Sequence, residues 1–112
     1  MSNVSVIGLG YVGLPTALVL ATHGHQVAGV DVNPDVVDNV KSGAIPLQEP
    51  GLKKLMAQVV KSGKLTASQS IGPSDIFVIA VPTPLALDKT ADLSHVTQAC
   101  QAIVPHLNPG NL

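Results

Sequence analysis

No arginine occurs in the 112 residues, and all six basic side chains are lysines. A bidentate phosphate clamp or a basic nucleic-acid footprint therefore has nothing to be built from. Tyr11 and Phe77 are the only aromatics and tryptophan is absent. Base-stacking nucleic-acid modules are disfavoured, and the core has to be packed from Val, Ile, Leu and Ala. The one cysteine, Cys100, can form neither an internal disulfide nor a multi-cysteine zinc site, which fits a reducing compartment. Charged residues make up 12% of the chain, about half the roughly 25% of an average soluble protein. The N-terminus has no basic n-region, and no apolar run approaches the roughly 18 residues of a membrane span. A cytoplasmic, soluble protein with no membrane or nucleic-acid partner is expected.

What is present is a 46% hydrophobic chain long enough for one domain, residues 1–112. That composition suits a sheet buried on both faces. Val4–Ile7 is a short β-branched run ended by glycine, and Leu14–His23 is long and apolar enough for a buried helix with Gly24 at its C′ position. Gln26–Asp31 reads as a second strand, completing a βαβ unit. Asn33-Pro34 supplies a cap and a first-turn proline for a helix through Val36, Val37 and Val40 that closes near Gly43. After the loop Ala44–Glu49, Pro50 opens an amphipathic helix whose stripe is Leu52, Leu55, Met56, Val59 and Val60, ending near Gly63. Lys53, Lys54, Lys61 and Lys64 fall around its remaining surface and read as a solvated face. Leu65–Ile71 can hold a short strand, and the unbroken apolar run Ile76–Val81 predicts a strand buried on both faces. Asp92 is placed to cap a last helix carrying Val96, Ala99, Cys100 and Ile103 on one face.

Gly8-Leu9-Gly10-Tyr11-Val12-Gly13 matches G-x-G-x-x-G, follows a strand, opens a helix and lies inside the βαβ unit. That context makes the pattern specific. Gly8 permits the tight turn, Gly10 lets backbone approach a pyrophosphate, and Gly13 allows close packing of helix on strand. A diphosphate would rest on the free N–H groups of the helix N-terminus, so no lysine is needed there. Asp31, 18 residues after Gly13, stands where an acid accepts hydrogen bonds from the adenosine ribose hydroxyls. Its charge repels a 2′-phosphate, and neither Val32 nor Asn33 offers a cation. NAD is favoured over NADP, on an α/β, Rossmann-type doubly wound parallel sheet.

Val81-Pro82-Thr83-Pro84 closes the strongest strand. In a parallel sheet this turn lies at the carboxyl edge near the topological switch point, where such folds bind ligands. The two prolines fix the loop and leave Thr83 with the N–H and the hydroxyl; a bare turn is the competing reading. His23-Gly24-His25 brackets a helix-to-strand turn, and no further spacing completes a metal set around it. His95 reads as a surface residue and His106 as a C-terminal dipole partner. Cys100 has no adjacent His or Lys and falls at core spacing, as a buried, inert thiol would.

IGLGYVGLPTA, GVDVN, the loop ending Gln48-Glu49-Pro50-Gly51-Leu52, and IAVPTP, in this order, resemble the N-terminal domain of the UDP-glucose/GDP-mannose dehydrogenases. Within that family, VPTP and Ala91-Asp92-Leu93-Ser94 resemble the UDP-N-acetylmannosamine dehydrogenase branch. The resemblance implies oxidation of a UDP-sugar C6 alcohol to a carboxylate with two NAD⁺, through a thiohemiacetal on a catalytic cysteine. It implies that Tyr11, Val12, Asp31 and Thr83 contact NAD, and it places Glu49 at the cleft, where a helix N-cap acid is the plainer alternative. Relatives often carry a lysine five residues after the ribose-binding acid, whereas Val36 stands here. The family's nucleophilic cysteine, its Lys and Asn helpers and its sugar pocket lie in later domains. The chain therefore reads as the single, truncated cofactor domain of a larger enzyme, a homo-oligomer, with no catalytic residue and no metal ligand of its own. A stand-alone nucleotide-sensing module, another nucleotide sugar, or a 3-hydroxyacid or 6-phosphogluconate dehydrogenase are the alternatives. Asn108–Leu112 has the look of a turn feeding another strand, which speaks against the module.

Overall fold

Among the described residues four short strands and four α-helices follow one another, strand and helix alternating except where two helices precede β3 and where β4 follows β3 directly. The computed structural model describes residues 2–10, 12–42, 50–82 and 92–112; Tyr11, Glu49 and Thr83 lie outside the described residues. Strand β1 (Asn3–Ile7) leads through α1 (Gly13–Thr22) to β2 (Gln26–Val30), and α2 (Pro34–Ser42) and α3 (Pro50–Lys61) lead to β3 (Leu65–Ser68). Then come β4 (Ile76–Ile79) and α4 (Ser94–Ile103), followed by a 3-10 turn, Val104–His106. The sheet is parallel throughout, in the order β3-β2-β1-β4. Its register aligns Val4 with both Val27 and Ile76, and Val27 with Leu65.

Alternation along each strand sends side chains to two faces. Val4, Val6, Val27, Leu65 and Ala67 pack with Leu14 and Leu18 of α1, Val37 and Val40 of α2, and Met56 and Val59 of α3. Ile7 and Val30 point the other way and pack with Ala99 and Ile103 of α4. Helices on both faces make this the doubly wound α/β sandwich expected, with no aromatic among the buried core residues described. Ser5, 1% exposed, is the buried polar residue, and its hydroxyl is satisfied by that of Ser74. Local chemistry sets the helix ends. The Asn33 side-chain oxygen accepts from the Asp35 N–H at 2.9 Å, and Gly24 and His25 donate back to Ala21 and Leu20 to close α1.

Three expectations are corrected. Strand β4 is not buried on both faces: Ile76, Phe77 and Val78 are half-buried and Ile79 is 38% exposed, because β4 is the outer strand of the described sheet. Leu112 meets that outer edge, donating to the Asp75 carbonyl at 3.0 Å and accepting from the Phe77 N–H at 2.6 Å, the pattern of a parallel pair. Leu55 is exposed at the border of the α3 stripe, which centres on Met56 and Val59. Cys100 is exposed rather than buried. Among the described residues α4 is the one helix on its sheet face, so only the strip through Ala99 and Ile103 is covered. No helix among the described residues is long and apolar enough to cross a membrane. No group of three His, Cys, Asp or Glu among them could hold a metal ion.

Candidate functional site

The direction of chain crossing changes at β1: β2 and β3 lie to one side of it and β4 to the other. At the carboxyl end of these strands opens a cleft of about 910 Å³. Its floor is Ile7, Gly8, Leu9, Gly10 and Val12; Val30, Asp31 and Val32 flank it on one side, and Ala80, Val81 and Pro82 on the other. This is the topological switch point, where open α/β sheets bind ligands.

The glycines have three different physical tasks. Gly8 has φ +97°, and a Cβ there would stand 2.7 Å from the Ala80 carbonyl oxygen, so both backbone and space demand glycine. A Cβ on Gly13 would lie 1.7 Å from the Gly8 carbonyl oxygen, which is what lets α1 start directly above the turn. A Cβ on Gly10 would meet, chain neighbours aside, nothing among the described residues within 4 Å. Its missing side chain leaves open space on the cleft floor, as a cradle for a closely approaching ligand requires. The turn is tied down by the Gly8 N–H, which donates to the Val30 carbonyl at 2.7 Å.

Helix α1 begins without a side-chain cap and with no acid in its first turn. The Leu14 N–H donates to the Gly10 carbonyl and the Thr16 N–H to the Val12 carbonyl, each at 3.1 Å, and Pro15 has none, so α1 offers an anion in the cleft its dipole and the N–H groups of Val12 and Gly13. Asp31, just past β2, is partly buried. One carboxylate oxygen accepts from the Leu9 N–H and the other from the Asn33 N–H, each at 2.9 Å. A carboxylate has about four acceptor positions. One is left on each oxygen, a match for the two hydroxyls of a ribose. Gly8, Gly10, Val12 and Asp31 thus meet at one cleft, while Gly13 acts behind it by setting the helix against the turn. An uncapped helix start, an open glycine floor and a half-satisfied carboxylate form the donor and acceptor set that a dinucleotide needs.

Two further walls were not assigned to the site from sequence. Gln69, Ser70 and Ile71, after β3, close the Asp31 side. His95, Gln98 and Ala102 of α4, with His106 of the 3-10 turn, line the opposite wall. His95, Gln98 and Ala102 follow one helical row, and that row was the available signal. His106 is therefore a cleft residue rather than only a partner of the helix end. The N-cap of α4 is Leu93 rather than Asp92, and it makes no side-chain cap bond; Asp92 stands one residue further upstream and accepts from the Ser94 N–H at 2.9 Å. This bond, the Ser94 hydroxyl and the nearby His95 hold its carboxyl below the ordinary 3.8. Cys100 is absent from the cleft wall, although its neighbour Ala99 and Ala102 belong to it.

Comparison with known proteins agrees with this geometry. The model of the UDP-glucose/GDP-mannose dehydrogenase family, NAD binding domain, matches residues 2–112. The UDP-N-acetyl-D-mannosamine dehydrogenase of Methanococcus maripaludis is 46% identical over 117 residues, covering 100% of this chain and 27% of that protein. The NDP-N-acetyl-D-galactosaminuronic acid dehydrogenase of Ralstonia nicotianae is 47% identical over 110 residues, covering 98% and 26%. The solved UDP-N-acetyl-mannosamine dehydrogenase of Staphylococcus aureus superposes with a TM-score of 0.93 at 45% identity, covering 98% of this chain and 27% of that one. The chain spans about a quarter of the length of the curated relatives it matches.

Proposed function

Because this chain belongs to the UDP-glucose/GDP-mannose dehydrogenase family, as its NAD-binding domain, we propose that residues 1–112 form the cofactor domain of a larger, cytoplasmic, homo-oligomeric nucleotide-sugar 6-dehydrogenase. The observation that carries this reading is the junction of the open glycine turn, the uncapped start of α1 and Asp31 in one cleft at the sheet's switch point. NAD⁺, when bound, supplies the hydride acceptor. Oxidation of a C6 alcohol to a carboxylate removes four electrons and so consumes two NAD⁺.

The chain's own residues have binding and orienting tasks. Gly8 and Gly10 admit the pyrophosphate to the N–H groups at the start of α1, with Tyr11 and Val12 beside it. Asp31 accepts the adenosine ribose hydroxyls and repels the 2′-phosphate of NADP. Thr83 contacts the cofactor from the turn after β4. Cys100 lies on an exposed flank of α4 away from the cleft and is not the nucleophile. The 112 residues by themselves bind NAD⁺ weakly and turn nothing over.

For the substrate we propose UDP-N-acetylmannosamine, supported by the names of relatives from M. maripaludis and S. aureus and by the Val81-Pro82-Thr83-Pro84 turn. The similarity to an N-acetyl-galactosaminuronic acid dehydrogenase keeps a second amino-sugar substrate in view. The complete protein, supplied with NAD⁺ and a panel of UDP- and GDP-sugars, is expected to form two NADH per UDP-N-acetylmannosamine, followed by absorbance. Turnover of a different sugar alone would reject the substrate, and no NADH with any sugar would reject the enzyme reading.

A further inference from the structure

Asp31 receives the Asn33 N–H on one oxygen, and that N–H belongs to the Val32–Asn33 peptide. The carbonyl at the other end of the same peptide, Val32 O, accepts from the side-chain amide of Gln69 at 3.0 Å. A trans peptide is a rigid plane whose C=O and N–H point in opposite directions. Fixing one end therefore aims the other. Val32 is 86% exposed, so without Gln69 its carbonyl is left to solvent and the plane is held only by the Asn33 N–H bond to Asp31, leaving plane and carboxylate to turn together. The neighbouring backbone is already held, because the Asp31 N–H donates to the Ser68 carbonyl at 3.1 Å and Asn33 caps α2. The Val32–Asn33 plane is the remaining freedom between these two anchors, and Gln69 removes it. Gln69 itself stands on the cleft wall immediately after β3.

We propose that Gln69 is a positioning residue for the ribose site: through the Val32–Asn33 peptide it orients the Asp31 carboxylate so that its two open acceptor positions face the adenosine ribose. The proposal rests on the cofactor reading above. Its specific content is that the effect of Gln69 passes through Asp31. Gln69→Leu preserves bulk and removes the donor. The peptide plane is then unpinned, and each ribose hydroxyl meets a carboxylate that has to be ordered on binding.

Kd values for NAD⁺ and for its analogue with a 2′-deoxyadenosine are measured by calorimetry on the chain, on Gln69→Leu, on Asp31→Ala and on the double variant. Thermal melts confirm that each is folded. Gln69→Leu is expected to weaken NAD⁺ about fivefold, the scale of one net hydrogen bond. It should have no effect in the Asp31→Ala background, and should shrink the preference for NAD⁺ over the deoxy analogue. A loss of equal size in both backgrounds, or an undiminished preference, would show a merely structural brace and overturn the proposal. So would wild-type NAD⁺ affinity in Gln69→Leu. Should Asp31→Ala fold too poorly to titrate, the deoxy comparison on Gln69→Leu decides alone. If Asp31→Ala binds NAD⁺ as tightly as the parent, the ribose assignment itself fails and the proposal falls with it; if Asp31 matters and Gln69 does not, only the proposal falls.

Discussion

Alanine at Gly13 would put a methyl carbon 1.7 Å from the Gly8 carbonyl oxygen and 2.8 Å from its carbon. Both are backbone atoms of a turn pinned to β2 by the Gly8 N–H, so no side chain can swing aside. An ordinary contact needs about 3.4 Å or more between such atoms, so the start of α1 has to move by more than 1 Å. Overpacking of this kind costs roughly 1–3 kcal/mol, and a backbone-on-backbone clash belongs at the upper end. With about 4–8 °C lost per kcal/mol in a domain of this size, Gly13→Ala should lower Tm by at least about 12 °C and weaken NAD⁺. Gly10→Ala is the control that separates packing from binding. Chain neighbours aside, its Cβ meets no atom of the described residues within 4 Å, and its φ is not positive. The fold should keep its Tm, or gain about 0.5 kcal/mol from reduced chain entropy, while the new methyl occupies the cradle and weakens NAD⁺ at least about tenfold. Circular-dichroism melts and NAD⁺ titrations on the two variants make the comparison. Unchanged NAD⁺ affinity in Gly10→Ala, or an unchanged melt in Gly13→Ala, would refute the assignment of the two glycines.

Asp31→Ala removes the acceptor for the Leu9 N–H as well as the proposed ribose partner. It should cost about 2 kcal/mol of binding, roughly thirtyfold in Kd, and also lower Tm, both read from titrations and melts. Asp92, held below its ordinary 3.8 by the Ser94 bonds, contributes stability to the start of α4 that is present above that value. The contribution is lost as pH falls through the depressed one; carbon-detected NMR titration of the carboxyl should give a midpoint below 3.8, and Asp92→Ala should abolish that acid limb. Cys100, exposed on α4, should react with a thiol reagent in the native protein at a rate close to that of the unfolded chain. Protection by more than about a hundredfold would place it in the core after all.

Element identity was legible because short β-branched runs, a C′ glycine and an Asn-Pro start each have one local solution. The placement of the glycine turn beside Asp31 was legible for the same reason: it depends on neighbours close in sequence or at a fixed offset within one βαβ unit. What could not be read depends on which elements meet. The apolar run Ile76–Ile79 looks like a central strand, yet its place in the order β3-β2-β1-β4 leaves it half exposed. Cys100 shares a helical face with Ala99 in sequence, but a single helix on that sheet face covers only a narrow strip. The bond from Gln69 to Val32 spans 37 residues, and the one from Leu9 to Asp31 spans 22; neither leaves a local pattern. His95 and Gln98 became cleft residues only once α4 was seen to lie across the carboxyl end of β1.

In the proposed site Asp31 both completes the cradle and sets the choice of cofactor, so the discrimination between two dinucleotides tests the account most directly. Calorimetric titration of the 112-residue chain with NAD⁺ and with NADP⁺ at the same ionic strength should give measurable binding of NAD⁺ and at least about tenfold weaker binding of NADP⁺. No binding of NAD⁺, or a preference for NADP⁺, would contradict it.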